Sequence, residues 1–315
     1  MIKIEYNYPI ESLHVMTLKH PAILIRDPLQ YNYEEFFSIV LEDLRKGNPS
    51  LSTIDIIISQ YIHNSNDLNS CLSKIYNGLR SKVSELGWDY SFEIDVIFNQ
   101  KSYRCLCEQL SRVFYVCDEE SAIPKELTGV ETKSINTKLE KKNQPTTGSK
   151  CRKYQEYPVT AVGGTFDHLH DGHKILLSLA VFLTSRTVII GITGPKLLVN
   201  KKYSETLESY ERRQLRVIGY LQKVLNDGIK FEIFQINDVC GPTGYIKDIN
   251  SLAVSEESSK GGGFVNKTRR EKGYSELDVI VINVIGDQNS NEQNNWSGKL
   301  SSTDIRKQEY EKHYK

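Results

Sequence analysis

A chain of 315 residues is long for one hydrophobic core and suits two domains of ordinary size. Lysine plus arginine equals aspartate plus glutamate at 40 each, which excludes a broad electrostatic pull toward nucleic acid or an anionic membrane and leaves any bound anion to local groups. The six cysteines are scattered, with Cys105 and Cys107 lacking a second pair or a histidine at zinc spacing, and the longest apolar stretch, 175–183, is far too short for a membrane span, so the expectation is a soluble, cytoplasmic protein with reduced thiols.

In chain order, the amino terminus carries neither a basic segment with an apolar core nor an Arg/Ser-rich leader. Strand-like runs then fall at 22–25, 54–58, 92–98 and 113–116, with helical patterns at 33–45 and 68–86. This alternation predicts a smaller α/β domain over 1–124, with no glycine-rich phosphate loop. Asp27, Asp55 and Asp95 near its strand ends read as solvated or capping carboxylates. From 125 to 150 the composition turns to Lys, Glu, Thr, Ser, Asn and Gln without apolar periodicity, which predicts a flexible linker and a domain boundary.

Beyond it the alternation becomes regular. Strands are expected at 159–162, 187–192, 230–236, 251–254 and 278–285, and helices at 173–185, 209–226, 264–273 and from Thr303 onward. Continuous apolar strands joined by helices indicate a doubly wound parallel sheet over 151–315, with ligands at the carboxyl ends of its strands. The first such end carries Gly163-Gly164-Thr165-Phe166-Asp167-His168-Leu169-His170-Asp171-Gly172-His173, which holds three of the chain's seven histidines within six residues. His170 and His173 therefore fall at a strand-to-helix junction, where free N–H groups and the macrodipole favour an anion, glycines allow close approach of backbone, and imidazole N–H groups can donate to phosphate oxygens. His168 fits no such role and reads as a solvated side chain.

Near the carboxyl end, Ser301-Ser302-Thr303-Asp304-Ile305-Arg306 opens the last helix with three hydroxyls, a cap signal that can equally clasp phosphate oxygens, and with Arg306 one turn on. G-T-F-D followed by H-x-G-H, with S-S-T-x-x-R downstream, resembles the nucleotidylyltransferase superfamily, whose fold is Rossmann-like. Gly191-Ile192, Leu197-Leu198, Lys201, Tyr210-Glu211-Arg212-Arg213, and Val254-Ser255-Glu256-Glu257 with Gly261-Gly262 and Asn266 make 157–315 similar to the phosphopantetheine adenylyltransferases of the eukaryotic and archaeal type. The arrangement with an additional N-terminal half is similar to the fungal monofunctional version.

The resemblance implies roles for individual residues. Thr165 would contact the α-phosphate of ATP and the phosphate of 4′-phosphopantetheine, with Gly164 and Phe166 at the nucleotide. His170 and His173 would support the triphosphate, with His173 stabilising the pentavalent transition state. Lys201, or its neighbour Lys202, would bind the nucleophilic phosphate. Ser301, Ser302, Thr303 and Arg306 would hold the β,γ-phosphates, and Ser255 and Lys260 would lie on the acceptor side, Lys260 standing where relatives tend to have an arginine. Mg²⁺ would arrive on the ATP triphosphate with few or no protein ligands.

Three other readings compete. Gly261 to Thr268 matches the phosphate-loop pattern G-x-x-x-x-G-K-[ST] except that Asn266 replaces the second glycine. Another acceptor, such as nicotinamide mononucleotide or a choline or glycerol phosphate, would use the same phosphate-end motifs. A non-catalytic scaffold binding other enzymes of coenzyme A synthesis would not need His170, His173, Lys201 and Ser302 together, although the N-terminal half could be such a module.

Overall fold

Short β-branched runs alternate with amphipathic helices through the whole chain, and they assemble into two units, each built on its own parallel sheet. The computed structural model describes residues 3–4, 19–142, 156–282 and 301–314. One unit is Ile10–Tyr154; the other joins Met1–Pro9 to Gln155–Lys315. No helix among the described residues is long and apolar enough to cross a membrane.

After β1 (Lys3–Ile4), the first unit runs through β2 (His20–Ile25), β3 (Tyr31–Asn32), α1 (Glu34–Gly47), β4 (Thr53–Ile58), α2 (Ser65–Glu85), β5 (Glu93–Ile97), α3 (Arg104–Cys107), β6 (Leu110–Val116), β7 (Glu131–Ile135) and β8 (Glu140–Lys141). Helix α1 carries Glu34 and Glu35 in its first turn and Arg45 and Lys46 in its last, complementing the macrodipole, and buries Phe36, Phe37, Val40 and Leu41. Helix α2 is capped by Asn64, whose Oδ1 accepts from the Asp67 N–H at 2.8 Å. The sheet order is β5-β4-β2-β6-β7, all parallel.

Two expectations are corrected here. The stretch read as a linker from residue 125 is part of this unit as far as Lys141: β7 pairs with β6 from Arg112↔Glu131 to Val116↔Ile135, and β8 pairs with β3. Apolar periodicity is weak there because β7 is an edge strand whose polar side chains find partners, Lys133 on Asp43 and Glu131 on Arg112. Residues 143–150 of the expected linker lie outside the described residues. Asp55 and Asp95, read as solvated or capping, are buried, and Asp55 takes the His20 Nε2 at 2.7 Å. Asp27 does cap a turn, accepting from the Leu29 and Gln30 N–H groups.

The second unit contains β9 (Tyr157–Gly164), α4 (Asp171–Phe182), β10 (Thr184–Thr193), α5 (Tyr210–Val224), β11 (Lys230–Ile236), β12 (Ser251–Ser255), α6 (Ser259–Glu271), β13 (Asp278–Ile282) and α7 (Ser302–Tyr314). Its sheet order is β1-β11-β10-β9-β12-β13, parallel except for β1. Strand β1 covers the edge of β11 through Lys3↔Phe234 and Ile4↔Ile233, so the first residues of the chain belong to this unit, whereas the sequence reading placed all of 1–124 in the other. The expected strand 278–285 is described only to Ile282.

Numbered from its own first parallel strand, each sheet has the order 3-2-1-4-5, so each is doubly wound with a switch point between strands 1 and 4. In the first unit that point lies between β2 and β6, and its own side chains close it. The Arg26 and Asp27 N–H groups donate to Tyr33 Oη, Arg26 N also donates to Glu119 Oε2, and Tyr33 donates to Glu119 Oε1, with Tyr33 and Glu119 both buried. In the second unit the switch point lies between β9 and β12, and the histidine segment leaves from it.

Candidate active site

Between β9 and α4 the backbone makes two excursions into the left-handed region, at Phe166 (φ 50°) and His168 (φ 45°). Such a conformation costs a non-glycine residue free energy and persists only where neighbours over-determine it. Here they do. The Thr165 carbonyl accepts from Arg213 Nη1 at 2.7 Å, and the same nitrogen reaches the Thr193 carbonyl at 2.9 Å. Thr193 Oγ1 donates to the Gly164 carbonyl at 3.0 Å. Asp167 Oδ1 accepts from the Glu208 N–H at 2.9 Å, and Glu208 Oε2 accepts from the His168 N–H at 2.8 Å. The His168 ring meets the Thr206 carbonyl at 2.9 Å, so His168 is a tethered residue and not the solvated one expected from sequence.

Phe166 is fully buried, with its ring against Gly164: a Cβ built on Gly164 would stand 3.2 Å from the ring edge, a tight contact that the ring would have to yield to by a few tenths of an ångström. Phe166, expected at the nucleotide, packs its ring beneath the segment with its centroid 5.3 Å from that of His173.

His170 is the N-cap of α4 and His173 its third residue. The His170 side chain makes no cap hydrogen bond to α4, as is also true of the N-cap residues of α1, α3 and α6, so the first N–H groups of α4 keep the positive end of its dipole for an anion. The two imidazoles stack with centroids 3.9 Å apart. Burial first, then His170 and His168 nearby, push the His173 imidazole well below its ordinary value, so it is neutral at pH 7. Its Nδ1 is buried without a hydrogen-bond partner among the described residues. A neutral imidazole at an uncapped helix start can donate one N–H to an anion and gains affinity for a proton as negative charge arrives.

The first turn of α7 lies against the same segment. Ser302 Oγ donates to the Asp167 carbonyl at 2.9 Å. Ser301 and Asp304 cap the helix reciprocally, Ser301 N donating to Asp304 Oδ2 and Asp304 N to Ser301 Oγ, each at 3.2 Å. Thr303 Oγ1 accepts from Arg306 Nη2 at 3.1 Å and keeps its own proton to donate. Arg306, expected at the phosphates, is instead buried and ion-paired to Asp167 at 2.6 Å.

Lys201 and Lys202 are both exposed on the turn that follows β10, where Lys201 N donates to the Leu198 carbonyl and the Lys202 carbonyl accepts from Arg306 Nε. Ser255 ends β12, the neighbour of β9 across the switch point, and Lys260 is exposed in the first turn of α6. Gly261, Gly262 and Gly263 lie inside α6, with their N–H groups within a helix and not in a loop, so the segment cannot form the phosphate cradle that its spacing suggests. Gly262 packs the helix onto the sheet, and Asn266 clasps the Leu277 backbone through both its amide atoms, at 2.9 and 2.8 Å. Sequence reasoning gave no role to Asp167, Glu208 or Arg213. Their signal is faint, because a buried charged residue looks the same in sequence as a solvated one.

The residues 161–308 match the family model described as cytidylyltransferase-like. The phosphopantetheine adenylyltransferase of Saccharomyces cerevisiae is 39% identical over 259 residues, which are 81% of this chain and 83% of that protein. The protein of the same name from Pyrococcus furiosus is 41% identical over 131 residues, 42% of this chain and 80% of the archaeal one. That of Methanosarcina acetivorans is 31% identical over 50% of this chain and 95% of its own length.

Proposed function

The chain belongs to the phosphopantetheine adenylyltransferase family, and from that premise we propose that it transfers the adenylyl group of ATP to 4′-phosphopantetheine, giving dephospho-coenzyme A and pyrophosphate. A phosphate oxygen of phosphopantetheine attacks the α-phosphorus in line, one P–O bond forms, the bond to the bridging oxygen of the β-phosphate breaks, and pyrophosphate departs with its electron pair. No general base is needed, since a phosphate monoester has its second pKa at about 6 and is already ionised at neutral pH. The protein's part is to place two anions and to meet the charge that grows between them.

In this reading His173 donates to the α-phosphate as the pentavalent centre forms and His170 supports the triphosphate beside it. Thr165 lies between the two phosphates, with Gly164 allowing the backbone to come close. The Thr303 hydroxyl, with Ser301 and Ser302 beside it, meets the β,γ-phosphates. Lys201 holds the nucleophilic phosphate, and Ser255 and Lys260 serve the acceptor from across the switch point. The observation that carries the reading is the meeting of the uncapped histidine-bearing start of α4 with the hydroxyl-bearing start of α7 at one switch point.

Nucleotidyltransferases of this kind use a divalent cation with ATP, and we assign Mg²⁺ to that role. In this reading the ion is bound through triphosphate oxygens and water, with few or no protein ligands. The reading places the protein in the cytoplasm, and its N-terminal unit outside the chemistry, free to serve other enzymes of the pathway. The archaeal relative supports this separation, since 80% of it is matched by only 42% of this chain. The test is a substrate panel: the purified protein with ATP and Mg²⁺ releases pyrophosphate with 4′-phosphopantetheine. Release with nicotinamide mononucleotide and none with phosphopantetheine would overturn the choice of acceptor.

A further inference from the structure

Helix α7 buries only two of its described residues, Ile305 and Arg306, so little apolar surface holds it to the sheet. Polar contacts do this instead. They run to two segments, 167–168 and 202–206, and Arg306 takes part in most of them. Its Nη1 binds Asp167 Oδ2 at 2.6 Å, its Nε donates to the Lys202 carbonyl at 2.9 Å, its Nη2 donates to Thr303 Oγ1 at 3.1 Å, and its own carbonyl accepts from Thr206 Oγ1 at 3.0 Å. Three of these four contacts land beside a group placed at the phosphates above. Asp167 lies between Thr165 and His170, Lys202 is the neighbour of Lys201, and Thr303 is the hydroxyl with a proton to give.

We infer that Arg306 is a positioning residue for the adenylyl transfer: it touches no phosphate, but locks the histidine segment, the lysine turn and the hydroxyl turn of α7 into the one arrangement the reaction needs. The inference rests on the function proposed above and deepens it. Its physical basis is the planar fork of the guanidinium, which spans three partners in fixed directions, as a single ammonium cannot. Burial removes Arg306 from the surface that a nucleotide would meet, and the carboxylate of Asp167, fully buried, neutralises it in place. The partners of Asp167 continue the lock. Its other oxygen holds Glu208 N, and Glu208 in turn holds His168 N, so a force on Arg306 reaches both ends of the left-handed turn that delivers the histidines.

The test uses the full chain with Arg306→Lys, Arg306→Met and Asp167→Asn, read by steady-state kinetics and by amide hydrogen exchange of the ligand-free protein. Arg306→Lys keeps a cation beside Asp167 but loses the span. The expected result is a fall in kcat of roughly tenfold or more, as misplacement of reacting groups gives, with KM rising for both substrates and not for ATP alone. Exchange in 165–173 and 201–206 should accelerate together, while exchange in β2, β4 and β6 stays as in the wild type. Asp167→Asn should change the same segments, and its combination with Arg306→Lys should cost less than the sum of the two.

A phosphate-binding Arg306 predicts the opposite pattern: a KM effect confined to ATP, and unchanged exchange without ligand. That pattern, or kinetics of Arg306→Lys indistinguishable from wild type, overturns the inference. Should Arg306→Met fail to fold, the lysine and asparagine variants decide alone. Should the wild type release no pyrophosphate with phosphopantetheine, the acceptor reading fails, and the exchange arm still decides whether Arg306 joins the three segments.

Discussion

His170 and His173 stack across the first turn of α4 with ring centroids 3.9 Å apart and planes 27° from parallel. Burial first, and then the neighbouring His170 and His168, disfavour protonation of His173 in the ligand-free protein. Replacing His173 with alanine removes the donor without touching the contacts of Asp167, Glu208 or Arg213 that fix the turn. Turnover should drop by roughly 10²-fold or more with the unfolding midpoint little changed. Turnover within a few-fold of wild type would make His173 a packing residue.

A pH dependence follows from the same histidine. Its folded-state value is held below the ordinary 6.5, so below about that pH the unfolded chain binds a proton that the folded chain does not. This contribution to stability is complete above about pH 6.5 and is lost progressively as pH falls toward the folded value. Melting temperatures taken between about pH 8 and 5 should therefore fall more steeply for the wild type than for His173→Ala. Parallel curves would mean that His173 titrates normally in the folded protein.

Lys201 and Lys202 can be separated by kinetics. Arg306 pins the Lys202 carbonyl, and both side chains stand exposed beside the site. On the role proposed for it at the nucleophilic phosphate, Lys201→Ala should raise KM for 4′-phosphopantetheine more than KM for ATP. An effect seen with Lys202→Ala alone moves the assignment by one residue.

Two adjacent glycines of α6 should respond with opposite signs. A Cβ on Gly262 would stand 2.7 Å from Val279 Cγ1, whereas one on Gly261 would meet nothing within 4 Å. Gly261→Ala should stabilise the protein by about 0.5–1 kcal/mol through helix propensity. Gly262→Ala should destabilise it by about 1–3 kcal/mol, because the helix must lift from β13. Denaturant midpoints measure both, and equal shifts would refute the close packing of α6.

Tyr33→Phe tests the independence of the first unit. The change removes the acceptor of the Arg26 and Asp27 N–H groups and the donor to buried Glu119, whose carboxyl burial already pushes above the usual carboxylate range. Arg26 N keeps its bond to Glu119 Oε2, but the Asp27 N–H and Glu119 Oε1 lose the Tyr33 hydroxyl, which should cost about 1–3 kcal/mol of stability. The kinetic constants should not move. A folded variant that has lost turnover would bring the first unit into the chemistry.

The sequence by itself determined the α/β class of both units and the strand-to-helix junction that carries the histidines. β-branched runs and 3.6-residue periodicity report burial directly, so β2, β4, β9 to β12 and the helices between them were legible. The histidine spacing after β9 was legible as well, because a strand-to-helix junction with glycines follows from local signals alone. Edge strands were not. The strands β1 and β7 are short and polar, and what makes them strands is hydrogen bonding to β11 and to β6, far along the chain.

Tertiary structure decided the work of the buried charges. Arg306, Asp167, Glu208 and Arg213 look in sequence like any solvated or phosphate-binding residues, and only the folded chain shows Arg306 turned inward to an aspartate 139 positions away. The Asn266 clasp and the closing of the first unit's switch point by Tyr33 and Glu119 were hidden for the same reason. Local sequence encodes backbone preference and apolar patterning within a few turns. The partner of a polar group is chosen by the global packing, where the cost of leaving a buried charge unpaired is large enough to fix its orientation.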